Sequence, residues 1–236
     1  MVAAPLRPAL ALSFTAALAA AVAARAQEGA PSPPTPPSPA AAEPLNAHVL
    51  AVVAEYPVDG SFGYFWPKSG GWEGATQDVV YAGRRLARGD AERRSYCCGL
   101  TFEVYVRALL RASGGSPVAG ISPDDLHELR LRFFGDSKAG ERKRLVQFGL
   151  ESLGLGRAVS HDEARHGDFV QLWRTNGSGH QAVFVNWLWK GKERVGLTYW
   201  SSQPSTRGIG YRSETFAEGV DPEQVYVGRA FTGRVP

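Results

Sequence analysis

Residues 167–189 read GDFVQLWRTNGSGHQAVFVNWLW, and the chain changes character there. Asp168–Trp173 and His180–Trp189 are short runs rich in β-branched and aromatic residues. The Asn176-Gly177 pair between them is a dipeptide that closes tight hairpins. Downstream, Arg194–Ser201, Ile209–Ser213 and Gln224–Ala230 repeat the pattern, with Gly191-Lys192 supplying another turn. The spacing predicts a succession of antiparallel strands.

Upstream of Gly167 the signals are helical. Leu45–Glu55 is a short apolar segment closed by Pro57. Thr76 can cap a helix from Gln77 to about Arg88, with Val79, Val80, Gly83 and Leu86-Ala87 as its apolar face. Cys98 to about Arg111 is apolar over most of its circumference, which predicts a buried helix stopped by Gly114-Gly115. Ser122-Pro123-Asp124-Asp125 opens a capped helix to about Arg132, and Asp136-Ser137 opens another to about Leu153. Helices first and strands afterwards predict an α+β domain, its N-terminal helices packed on a C-terminal antiparallel β-sheet.

Outside that domain the chain reads differently. Residues 1–26 have the pattern of a secretory signal: Arg7, the apolar run Ala9–Ala24, and Ala24-Arg25-Ala26 before Gln27. Residues 27–44 hold seven of the sixteen prolines and predict an extended tether. Residues 45–236 remain, 192 in all, enough for one domain with a full core. Removing Arg7 and Arg25 takes the formal charge from +3 to +1, and the remaining charges are mixed. Nucleic-acid binding, which needs a concentrated basic face, is not expected. No other run is apolar enough to span a membrane, so a secreted or periplasmic monomer is the expectation.

The only two cysteines, Cys97 and Cys98, are adjacent. A bond between neighbours is strained, and a structural zinc site would want four ligands at wider spacings. No metal and no cofactor is expected. A Cys at the start of a buried helix meets unpaired N–H groups and the positive end of the helix dipole, which favour thiolate and can hold an oxyanion. Gly99 would let a substrate backbone approach there. The histidine such a thiolate needs comes from elsewhere in the chain. His48, His127, His161 and His166 sit in polar or helical contexts; His180 opens the most apolar strand, Ala182-Val183-Phe184-Val185.

Tyr96-Cys97-Cys98-Gly99-Leu100 is similar to the D-C-S-G-L signature of the NlpC-type cysteine hydrolases, relatives of papain. Gly167-Asp168-Phe169-Val170 followed by Gly179-His180-Gln181-Ala182-Val183 resembles their second signature, G-D-x-V then G-H-x-A-[IV], which CHAP-type amidases share. The resemblance covers about Tyr81 to Ser202 and implies a papain-like domain. It also implies hydrolysis of an amide in a peptide, with peptidoglycan stem peptides as the substrate class. In that register Cys97 takes the nucleophile position and Cys98 that of the small residue before Gly99, while Tyr96 stands where the family has Asp. The two thiols point about 100° apart on a helix, so only one can face His180.

The family orients its histidine with a polar residue on the next strand. Here Leu197-Thr198-Tyr199-Trp200 leads to Ser202 and Gln203, which alternate between faces and stand as alternatives. Some relatives use an upstream tyrosine at the oxyanion, a role that would fall to Tyr81. The aromatic loop Phe62–Trp72, with Trp66 and Trp72, would line a substrate groove, or simply pack. A different class of reading is a non-catalytic papain-like binding domain with both thiols buried. A thiol-redox or metal-sequestering protein fits less well, because no CxxC is present.

Overall fold

The computed structural model describes residues 42–67 and 71–235. The signal read at residues 1–26, and the tether as far as residue 41, lie outside these. The last tether residues already belong to the domain. Glu43 N–H donates to Thr232 Oγ1 at 3.1 Å, and Thr232 N–H returns a bond to Glu43 O at 2.8 Å.

The described residues form a mixed α+β fold. Four α-helices, α1 (Asn46–Val53), α2 (Cys97–Ala112), α3 (Pro123–Phe134) and α4 (Leu145–Ser152), accompany eight strands. β1 (Val79–Tyr81) and β2 (Arg84–Ala87) make a hairpin. The others are β3 (Gly156–Val159), β4 (Phe169–Arg174), β5 (Gly179–Lys190), β6 (Glu193–Gln203), β7 (Gly208–Thr215) and β8 (Val220–Ala230). They form one antiparallel sheet in the order β3-β8-β4-β5-β6-β7.

Strand alternation builds two cores. Phe169, Val183, Trp200 and Ile209 face the helices. Val170, Leu172, Ala182, Phe184, Leu197 and Tyr199 fill the opposite face. α2 runs through the first core, burying Leu100, Phe102, Val104, Val106 and Leu109 around its circumference. Each such side chain contributes roughly 1.5–3 kcal/mol on leaving water. α3 begins with a reciprocal capping box, Ser122 Oγ accepting from Asp125 N–H and the Asp125 carboxylate accepting from Ser122 N–H; such a cap is worth about 1 kcal/mol. None of the described helices is long and apolar enough to cross a membrane.

Three expected elements differ. The helix expected from Gln77 to Arg88 is the β1–β2 hairpin. Thr76 does not cap it: its N–H and Oγ1 both donate to the buried Glu103 carboxylate on α2, at 2.7 and 2.8 Å. The chain reverses at Ala82 and Gly83, both at positive φ (49° and 76°), the geometry of a type I′ turn. The helix expected from Asp136 is confined to α4. Gly140 adopts φ 79°, and the Glu141 carboxylate accepts the N–H groups of Arg142, Lys143 and Arg144, holding that stretch as a loop. β3, a four-residue edge strand paired with β8, was not anticipated.

The Gly167-Asp168 step anchors the sheet. Gly167 has φ 91°, and a Cβ there would lie 2.9 Å from Asn46 O. Asp168 is fully buried and accepts a fork from Arg229, Nε at 2.9 Å and Nη2 at 2.8 Å. Asn46 Nδ2 donates to the same carboxylate at 2.8 Å, so one side chain ties α1, β4 and β8.

Candidate active site

The site forms where the start of α2 meets the start of β5. Tyr96 is the N-cap of α2, extended at φ −135° and ψ 166°, and its side chain caps nothing. The first-turn N–H groups of Cys97, Cys98 and Gly99 therefore have no backbone acceptor within the helix and no N-cap side chain to take them. The Tyr96 ring instead packs among Trp66, Trp72 and Phe134, at centroid distances of 4.5, 5.3 and 5.9 Å. Gly74 makes room for it, since a Cβ there would lie 2.5 Å from the ring.

The two thiols have different surroundings. Cys97 is half-buried and Cys98 buried. The Cys97 thiol is held well below its ordinary range. The hydrogen bond from Cys98 contributes most; burial opposes it, and the His180 side chain, its charge and the Gln181 N–H assist. The Cys98 thiol is pushed well up, first by burial and then by Cys97. His180 acts on Cys97 and is absent from the influences on Cys98. Both thiols and His180 line one cleft, and of the two neighbours Cys97 is the one the imidazole acts on.

His180 is nearly buried, opposite Leu172 in the β4–β5 hairpin. Gly179 before it has no room for a side chain, because a Cβ would meet the Trp173 ring at 2.8 Å. The His180 and Tyr199 rings lie 5.3 Å apart, and His180 Nε2 is buried without a partner. A cleft of about 180 Å³ opens over these groups, its walls including Cys97, Cys98, His180, Trp66, Trp173 and Gln181.

Ser202 and Gln203 do point to opposite sides. Ser202 Oγ donates to Ser95 O at 3.0 Å, tying β6 to the segment before α2. It makes no hydrogen bond to His180 among the described residues. Gln203 lies near the Tyr199 hydroxyl, Oε1 at 3.0 Å, and its Nε2 is buried without a partner. Gln203 thus keeps a free amide atom on the Tyr199 side, where Ser202 has none.

The remaining expected residues divide. Trp66 lines the cleft and is 56% exposed. Trp72 stands behind Tyr96, its Nε1 donating to Ala75 O at 3.0 Å, and does not line the cleft. Gly99 does not open the helix to a substrate. A Cβ there would lie 2.2 Å from Glu73 O, so its smallness seats the 73–74 backbone. Tyr81 is not at the site; it sits on β1, where its hydroxyl accepts the Val118 N–H at 2.7 Å and lies 3.3 Å from Ile121 O.

Besides Tyr96, the tyrosine that feels the thiols is Tyr64. Burial raises its pKa most, followed by the influence of Cys97 and then Cys98. It is bridged to Ser95, two residues before Cys97. Its place as the one tyrosine of the Gly63–Trp66 loop was the available signal. Gln181, Trp173, Phe133 and Phe134 also line the cleft unanticipated. Among the described residues no group of three or more His, Cys, Asp or Glu gathers as a metal would require. A lowered thiol beside an imidazole, at an uncapped helix start, has the chemistry to attack a carbonyl carbon. No family model matches the chain, and no curated protein matches it.

Proposed function

We propose that the chain is an exported papain-like cysteine hydrolase of the NlpC/CHAP type, cleaving an amide in a peptide, with peptidoglycan stem peptides as the substrate class. The observation that carries this reading is that Cys97, at the start of α2, and His180, at the start of β5, line one cleft, where Cys97 is lowered and Cys98 raised. The Cys97 thiolate attacks the carbonyl carbon, forming a C–S bond, and the charge moves to the carbonyl oxygen. First-turn N–H groups of α2 hold that oxyanion, with the Tyr64 hydroxyl nearby. His180 protonates the leaving nitrogen as the C–N bond breaks, leaving a thioester. His180 then takes a proton from water, whose oxygen attacks the thioester and releases the acid and the thiolate. Trp66 and Trp173 offer apolar walls for the substrate chain. The leader and tether read at residues 1–26 and 27–44 would deliver the domain outside the cytoplasm and give it reach.

The test is thiol labelling together with turnover. The folded protein should react with iodoacetamide at Cys97 at pH 7 and release stem-peptide fragments from peptidoglycan, and Cys97→Ala should do neither. If neither cysteine is labelled, the domain is a binding module with buried thiols. If Cys97→Ala stays active and Cys98→Ala does not, the nucleophile is Cys98.

A further inference from the structure

Glu214 on β7 is a buried carboxylate, 3% exposed, for which the hydrolytic reading has no use. It accepts Arg174 Nε at 2.8 Å and Nη2 at 2.6 Å, and pairs with the charge of Arg212, whose Nε lies 3.0 Å away. It also accepts the Tyr199 hydroxyl. Burial pushes its pKa up, but Arg174, Tyr199 and Arg212 outweigh this and leave it lowered, so the group is ionised and only accepts. Burial and the Glu214 charge raise the Tyr199 pKa, so the phenol keeps its proton.

Tyr199 has one proton and two neighbours in reach, the Glu214 carboxylate and the Gln203 amide. The carboxylate takes the proton, because a charge-assisted bond is the stronger. The Tyr199 oxygen then faces Gln203 as an acceptor, so the Gln203 atom 3.0 Å from it must be the NH₂. Amide oxygen and nitrogen are assigned from such networks rather than from shape. Turned this way, the Gln203 carbonyl oxygen takes the buried place where Nε2 has no partner. His180, whose ring lies 5.3 Å from that of Tyr199, also has its Nε2 buried without a partner. The turned amide offers an acceptor to a proton on Nε2, which an NH₂ in that place could not do.

We infer that Glu214, acting through Tyr199, sets the Gln203 amide so that its carbonyl oxygen faces His180 Nε2, which makes Glu214 and Tyr199 positioning residues for the imidazole. The inference rests on the hydrolase reading for its consequence in catalysis, but not for its geometry. The charged and titratable groups around this chain are Arg174 from β4, His180 from β5, and Arg212 and Glu214 from β7, with Cys97, Cys98 and Tyr64 beyond the imidazole.

Nitrogen-15 NMR of the full chain reads the geometry directly. In the wild type His180 should be protonated at Nε2, with a solvent-protected, downfield proton. Tyr199→Phe keeps the ring against His180 and removes the hydroxyl; it should lose that signal, as should Gln203→Met. Iodoacetamide labelling of Cys97 at pH 6 should slow about tenfold in either variant, the scale of one lost hydrogen bond to a charged group. The double variant should be no slower than Gln203→Met alone. Retention of the His180 signal in Gln203→Met overturns the inference, even if Tyr199→Phe fails to fold. So do additive effects on labelling. An unreactive Cys97 in a wild type that shows the signal refutes the hydrolase reading and leaves the positioning chain standing.

Discussion

Asp168→Ala removes the anion that joins α1, β4 and β8, and its cost follows from what is left behind. The Arg229 guanidinium, on a residue 3% exposed, loses both forked bonds, at 2.9 and 2.8 Å, and keeps only the Glu163 carbonyl at 2.6 Å. The Arg165 N–H, 2.7 Å from the carboxylate, loses its acceptor too. Breaking a buried pair from one side costs about 3–5 kcal/mol, because the surviving charge stays desolvated. For a domain of this size each kcal/mol moves the midpoint by about 2–4 °C, so melting should fall by roughly 6–20 °C. Urea unfolding and calorimetry measure this. Asp168→Leu combined with Arg229→Met removes both charges and should recover most of the loss. Iodoacetamide labelling of Cys97 in folded Asp168→Ala should stay within about twofold of wild type, since Asp168 does not line the cleft. A loss under about 1 kcal/mol, or a double variant no better than the single one, would refute the idea that this motif aspartate is a structural anchor.

Three other outcomes follow from the same geometry. Cys98→Ala removes the S–H that contributes most to lowering Cys97, so pH-resolved labelling with mass-spectrometric site assignment should show Cys97 reacting about tenfold more slowly at pH 6 and recovering at alkaline pH. Glu214 has a folded pKa below its unfolded value, so it stabilises the fold above the ordinary carboxylate range and loses that contribution as pH falls through the folded value. Urea titrations should therefore show wild type and Glu214→Gln converging at acid pH, with their widest separation near neutrality. Gly99→Ala forces a methyl to within 2.2 Å of Glu73 O and should cost about 1–3 kcal/mol in thermal unfolding, with the 73–74 backbone displaced.

The sheet was readable because its signals are local: alternation in β4 to β8 and turn dipeptides at Asn176-Gly177 and Gly191-Lys192. α2 was readable from an apolar circumference and a Gly-Gly stop. What escaped depends on distant partners. Val79, Val80 and Tyr81 suit a strand as well as a helix, and the turn that decides between them puts Ala82 at φ 49°, a conformation no composition announces. β3 exists through its pairing with β8, some 70 residues downstream by sequence count. At the site, the helix start and the strand start were legible as positions of Cys97 and His180. Tyr81 and Tyr64 differ only in where the chain turns between them and Cys97, so spacing alone could not rank them. Ser202 and Gln203 were separable by face, but only the Ser202 bond to Ser95 shows which face was already committed.

The two positions where the chain departs from the D-C-S-G-L pattern do separate physical jobs. An acid at the N-cap would accept first-turn N–H groups and place a negative charge beside the thiol. With Tyr96 there, no N-cap side chain takes those N–H groups and the ring joins Trp66, Trp72 and Phe134 instead. That exchange keeps the positive end of the helix available to Cys97 and puts an aromatic wall beside the cleft. The second departure supplies a donor. A buried Cys98 thiol is pushed up by burial while it lowers Cys97, so the paired cysteines are not two interchangeable nucleophiles. Both departures favour thiolate at the same sulfur. A chain that kept the helix start only as a scaffold would have no need for either, and this consistency between neighbouring positions is the physical reason to look for chemistry at Cys97 first.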